Sequence, residues 1–357
     1  MLIFSALIPA VGLFVHLVTA AYKLQDDYGT SHTFFDNFDF FTAADPTKGY
    51  VDYVDRSTAN KSGLIKASGG SLYIGVDSSN IASSPSRQSM RLSSTKSYTH
   101  GLVILDLEHM PGSVCSTWPA FWMLGDNWPS NGEIDIIEGV NQQPTNQVAL
   151  HTSPGCSIND SRFSGSVDTS NCYVEASGQA ANAGCAITSN CTQSYGDRFN
   201  KAGGGVYATE WTGEAIKVGS SRAPASPPIL ARAPPTLRAG VVLWRPLLEA
   251  ATLTRTLENY RLYMFDITFC GSWAGDAWAS GSCASKSSSC ISYVQNNPSA
   301  FTETYWSVNS LKVYQDGSSL NNATVSADAS SHTSIPLVSP TPRHAWKHAH
   351  NGYKHRQ

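Results

Sequence analysis

Charge is scarce in this sequence. Asp, Glu, Lys and Arg make up 14% of its 357 residues, against about a quarter in an average soluble chain. The formal net charge is only -3, and no basic stripe runs through the first two hundred residues. That balance excludes nucleic acid as a partner. Cysteine is missing before Cys115, and the eight cysteines show no CxxC pair and no zinc-like histidine spacing. No zinc site is therefore expected, and the chemistry read below calls for no metal and no cofactor. Long apolar runs are also missing after the first twenty residues, so no transmembrane segment is expected there. Up to about Pro111 no stretch keeps a helical period.

What is present is a large stock of core residues, 41% hydrophobic and 10% aromatic. The polar remainder is mostly Ser, Thr, Asn and Gly, as suits strands joined by loops. Ser31–Phe41 is aromatic with a short period. Gly49–Arg56, Gly70–Asp77, Gln88–Leu92 and Gly101–Glu108 read as strands bounded by turn residues. Gly203–Val218 reads as a hairpin, and Tyr260–Phe269 and Ser310–Gln315 as later strands. Many short strands with glycine-rich turns predict an all-β fold, a β-jelly roll or sandwich of two antiparallel sheets. Met1–Ala20 reads as a secretion signal ending in Val18-Thr19-Ala20, although it lacks a basic start. One domain is expected over 21–315, acting as a monomer. A disordered tail is expected over 316–357, where large apolar residues give way to Ser, Thr and His.

The most informative stretch is Asn131–Glu138, NGEIDIIE. Its isoleucines favour a strand, and on a strand Glu133 and Asp135 share a face. Strict alternation would send Glu138 to the opposite, buried face, at high cost. One extra residue at Ile136–Ile137, a β-bulge, returns Glu138 to its fellows. Crowded carboxylates raise one another's pKa, which suits a group that must start protonated and donate. A second, ionised carboxylate can then attack carbon, the arrangement of retaining glycoside hydrolysis. Asp135 would tune its neighbours by hydrogen bonding. The same spacing also suits a calcium site or a merely acidic strand edge.

The flanks bear on that choice. Trp118, Trp122 and Trp128 fall just before the acidic strand. At least one should be core, while the others suit the apolar faces of sugar rings, since Trp is seldom fully buried. His151, in QVALHTS, is either a structural histidine or a groove residue that binds a carboxylate or a sugar hydroxyl. Tyr207, Thr209 and Trp211 share one face of the hairpin, making Trp211 either a further sugar platform or core. The cysteines read as paired bridges of an oxidising compartment, local pairs such as Cys185–Cys191 or Cys283–Cys290 being among the options. Sequons occur at Asn60, Asn159, Asn190 and Asn322.

NGEIDIIEGVN, preceded by TWPAFWMLG and followed by ALHTS, resembles glycoside hydrolase family 16, in its fungal endo-1,3(4)-β-glucanase, laminarinase-like branch. YVDYVDR, GGGVYATEWT and NSLKVYQ resemble the same branch, so the likeness covers about residues 22–315. The resemblance implies a jelly roll of the concanavalin type with an open cleft for β-glucan. It implies Glu133 as nucleophile, Glu138 as general acid/base and Asp135 as their assistant. Trp118, Trp122, Trp128, Asn141, His151 and Trp211 are the candidate substrate-binding residues. A secreted enzyme cutting internal β-1,3 or mixed-linkage bonds is expected. The alternatives are a wall-remodelling transglycosylase using the same residues, or a non-catalytic glucan-binding wall protein.

Residues 219–257 break the resemblance. They are rich in Ala, Pro and Arg and hold no Asn, Asp or Cys. Relatives continue with a sequence like WFFPRSSIPADI, and a one-base shift in reading frame turns codons for Trp-Phe-Phe-Pro-Arg into Gly-Ser-Ser-Arg. A matching conversion exists at the far end, before Glu258. The stretch reads as a frame-shifted piece, which also removes one family cysteine; compensating shifts in the gene near codons 218 and 258 are the check.

Overall fold

The computed structural model describes residues 22–82, 86–158, 163–213, 215–222, 248–249 and 260–316. The expected signal, the tail and most of 219–257 lie outside these residues. Among the described residues two eight-stranded sheets face each other. One is built around Gly101–His109, with Tyr305–Asp316 on one side and Gly205–Trp211 on the other. The second runs in the order Gly165–Thr169, Cys185–Ser189, Gln147–His151, Glu133–Glu138, Thr117–Gly125, Tyr260–Phe269, Arg91–Tyr98, Phe38–Phe40. All pairings within both are antiparallel. This is the all-β sandwich the strand pattern implies.

Period-two alternation builds the core. From the first sheet Leu105, Leu107, Val308 and Leu311 point inward, each fully buried. From the second, Phe121, Met123, Val148, Leu150 and Ile187 meet them. The opposite face of that second sheet carries Ala120, Trp122 and Leu124, which form a separate apolar cluster with Trp128 packed against it. One chain segment thus feeds both the core and the outer groove.

Local differences from the sequence reading have local causes. Ser31–Phe41 is not one extended run: Ser31 caps a 3-10 turn, His32–Asn37, by accepting from the Thr33 N–H, and only Phe38–Phe40 is strand. Gly49–Arg56 shortens to Val51–Tyr53, because Asp55 caps the helix Arg56–Lys61 through the Thr58 N–H. The disulfides are Cys115–Cys283, Cys172–Cys185 and Cys270–Cys290. The local pairs Cys185–Cys191 and Cys283–Cys290 do not form, since tertiary packing brings more distant partners together; Cys156 and Cys191 are unbridged. Of 219–257, residues 219–222 complete the strand Ile216–Arg222 and 248–249 pair with it.

Candidate active site

The acidic strand Glu133–Glu138 lies between the tryptophan strand Thr117–Gly125 and the histidine strand Gln147–His151. Asp135 is opposite Trp122 on one side and Ala149 on the other; Glu138 is opposite Ala120 and Gln147. Three steps along the acidic strand therefore match two steps on each neighbour. The extra residue is the β-bulge. Ile134, Ile136 and Ile137 are all fully buried in the core, while Glu133, Asp135 and Glu138 all line the cleft. Two consecutive isoleucines on the same side are what free Glu138 to turn outward.

A bulge interrupts the backbone ladder. The side-chain amide of Asn146 bridges the gap: its Nδ2 donates to the Ile136 carbonyl at 2.9 Å, and its Oδ1 accepts from the Glu138 N–H at 3.0 Å.

Burial pushes the carboxyls of Glu133, Asp135 and Glu138 each up to about 8, because water is scarce around them. The charge of Asp135 pushes both glutamates further in that direction. Opposing influences differ between the two. His151 and Arg91 favour ionisation of Glu133. Glu138 is favoured in its charged form by the Trp118 indole and by His151, and opposed by Asp266. Trp118 Nε1 donates to Glu138 Oε1 at 2.8 Å. His151 Nε2 lies 3.3 Å from Asp135 Oδ2 and 3.9 Å from Glu133 Oε1. His151 Nδ1 and Asp135 Oδ2 are both buried, and neither has a hydrogen-bond partner among the described residues. Gly184 is left-handed at φ 57°, and a Cβ there would come within 2.8 Å of that Nδ1, so a side chain would displace the imidazole.

The groove has unlike flanks. Trp118 and Trp273 meet edge to face at 5.5 Å, and Trp122 stands beside them. Behind Trp122 the Arg91 guanidinium covers its ring at 4.9 Å and reaches Asp266 at 3.7 Å. Tyr53 donates to Asp266 at 2.6 Å, and burial raises the Asp266 carboxyl to about 6. On the far flank Gln147 and Thr188 both donate to Asp168, at 2.9 and 2.6 Å. Ala120, Ala149 and Ala186 form the floor between them. The set Glu133, Asp135 and His151, with atoms within 4.8 Å of one another, has the count of a metal site. Calcium, however, takes six to eight oxygens, and two carboxylates with an imidazole do not meet that demand.

The structure thus gathers Glu133, Asp135, Glu138, Trp118, Trp122 and His151 around one groove. Trp128 packs against the Ala120–Trp122–Leu124 cluster on the same face but is not among the residues lining the groove. Trp211 is elsewhere: it is 3% exposed in the other sheet, edge to face with His100, so its packing role holds and its platform role does not. Asn141 is left-handed at φ 54° and ties loops together, accepting from the Ser116 N–H and donating to the Ala274 carbonyl. Arg91, Asp266, Trp273 and Asn146 were missed. The only sequence signal among them was Asp266, a carboxylate set in the aromatic strand YRLYMFDITF.

Comparison with known proteins agrees with this geometry. A family model described as "XgeA-like, catalytic GH16 domain" matches residues 38–314. An endo-1,3(4)-β-glucanase of Arthroderma benhamiae is 43% identical over 315 residues, 86% of this chain and 68% of that protein. Against several Aspergillus relatives the chain spans about half their length. Among solved structures, an elongating family 16 β-1,3-glucosyltransferase is 40% identical with a TM-score of 0.73, over 82% of this chain and 100% of that one. Laminarinase 16A from Phanerochaete chrysosporium, seen with β-glucans in donor and acceptor sites, is 36% identical with a TM-score of 0.73, over 82% and 99%.

Proposed function

The chain belongs to glycoside hydrolase family 16, in its fungal laminarinase-like branch, and on that premise we propose that it is a secreted endo-β-glucanase acting with retention on internal β-1,3 or mixed β-1,3/1,4 bonds. The observation that carries the proposal is the bulge that turns Glu138 into the same groove as Glu133 and Asp135.

In this reading a glucan chain lies in the groove with rings against Trp118 and Trp122. Glu138, protonated, donates to the leaving glycosidic oxygen while the Glu133 carboxylate attacks the anomeric carbon. Water, deprotonated by Glu138, then attacks the glycosyl-enzyme and releases Glu133. Asp135, with His151 3.3 Å away, lies beside both glutamates, and charge on it favours the protonated form of Glu138. No cofactor enters these steps. The three disulfides support an oxidising, extracellular setting. Among the described residues no helix is long and apolar enough to cross a membrane. The 219–257 stretch is, in the same reading, a frame-shifted replacement.

A second reading, glycosyl transfer to another glucan, is favoured by the likeness to the elongating glucosyltransferase. Linkage-defined β-glucans, with product length and anomer followed together, test both. Short β-anomeric products support hydrolysis, longer products support transfer, and α-anomeric products overturn retention. Glu133→Gln and Glu138→Gln should each lower the rate by about 10³-fold while retaining glucan affinity. No activity in wild type, with glucan affinity kept in both variants, would leave only a binding protein, and unchanged activity in either variant would overturn these roles.

A further inference from the structure

Asn146 lies just before the histidine strand, and its polar atoms are committed to a single place. It is completely buried. Its backbone N–H donates to Ser194 Oγ at 3.0 Å, and its carbonyl accepts from the Ser189 N–H at 2.8 Å. Ser194 Oγ in turn donates to the Cys191 carbonyl at 2.7 Å. The backbone of Asn146 is therefore fixed from behind. The side-chain amide reaches across the bulge, joining the carbonyl of Ile136 to the N–H of Glu138. Those two backbone groups flank Ile137. Without a partner, each would be a buried polar group left unsatisfied.

An amide is the side chain that suits both. It has a donor and an acceptor at one spacing, so it can mimic the missing stretch of ladder. Ala in its place satisfies neither group, and Asp satisfies the N–H but repels the carbonyl. The bulge matters to chemistry because it sets the direction of one carboxylate. Glu133 and Asp135 precede it and take their direction from ordinary alternation. Only Glu138 takes its direction from the irregular step. Trp118 then holds the far end of the same side chain.

We propose that Asn146 is a positioning residue for the proton donor, fixing the bulge so that the Glu138 carboxyl meets the glycosidic oxygen, while leaving Glu133 unaffected. The inference rests on the reading of Glu138 as acid/base. It predicts a dependence on the leaving group, which a general loss of structure would not produce. Cleaving a β-1,3-glucan requires protonation of a poor leaving group; a 2,4-dinitrophenyl β-glycoside of laminaribiose departs without it.

The test compares kcat/KM, which reports glycosylation, for the two substrates in wild type, Asn146→Ala, Asn146→Asp and Glu138→Gln. Asn146→Ala should lose about 10²-fold on the glucan and less than about fivefold on the dinitrophenyl glycoside. Asn146→Asp, nearly isosteric, should show the same split at a smaller size and carries the test where Asn146→Ala does not fold. Equal losses on both substrates in Asn146→Asp, or no loss on either, overturn the inference. Glu138→Gln separates the two claims. If it shows no split, the acid/base reading itself fails; if it shows the split and Asn146→Asp does not, only the role of Asn146 fails.

Discussion

Trp118 and Glu138, on adjacent strands, are joined by an indole N–H donated at 2.8 Å to the carboxyl that turns outward at the bulge. The same tryptophan meets Trp273 edge to face. One side chain thus serves the apolar wall of the groove and the protonation of its acid.

Removing that N–H has a defined sign. The bond favours the charged carboxylate, so Trp118→Phe should raise the Glu138 pKa above its present value of about 8. The basic limb of the pH profile of kcat/KM, where the donor loses its proton, should move to higher pH. The rate at the optimum should fall by about tenfold, because the carboxyl also loses an anchor. A basic limb unchanged or moved to lower pH counts against the assignment.

Stability should depend on pH in an unusual direction. The Glu138 carboxyl rises from its ordinary value of 4.5 to about 8 in the fold, so the folded state holds its proton more tightly than the unfolded chain does. Its contribution is full below about pH 4.5 and is lost as pH rises through about 8. Glu138→Gln should flatten this decline. At pH 8 its Tm should exceed that of wild type, by about 2–4 °C for each kcal/mol relieved. Calorimetry of the two proteins at pH 5 and pH 8 provides the difference directly.

The alanine floor sets the depth of the groove. Ala149 is opposite Asp135 and 2% exposed. Ala149→Leu adds a branched side chain where a sugar ring would rest. KM for glucan should rise about tenfold or more, as about 1.4 kcal/mol of binding is lost for each factor of ten. Kinetics on soluble β-glucan, with Tm measured alongside, separates blocked binding from strain.

The Cys270–Cys290 bridge closes a segment of 20 residues that carries Ser272 and Trp273 to the groove. Replacing both cysteines with alanine should cost about 3 kcal/mol of stability, the loop-closure value for that length. Since the bridge anchors one end of the segment that presents Trp273 to Trp118, KM should rise more than kcat falls. Denaturant unfolding and steady-state kinetics measure the two effects.

The sheet class, the three acids and the bulge that unites them were legible in the residues alone, because they follow from a period of two and the cost of burying a carboxylate. Glu138 could not face inward among Ile134, Ile136 and Ile137, so the irregularity was readable from eight letters. Packing between distant strands settled which tryptophans meet the groove. Trp118 and Trp211 look alike in sequence, each on an alternating strand, yet Trp211 points into the core between the sheets while Trp118 lines the groove on the outer face of its sheet. It also decided the partners that come from afar: Arg91 and Asp266 join across two strands that are far apart in the chain, and Cys115 finds Cys283 rather than a near neighbour. Asn146 stands for the rest. Local patterning required the bulge, but nothing local could tell that a buried amide eight residues on would supply the hydrogen bonds the bulge leaves open.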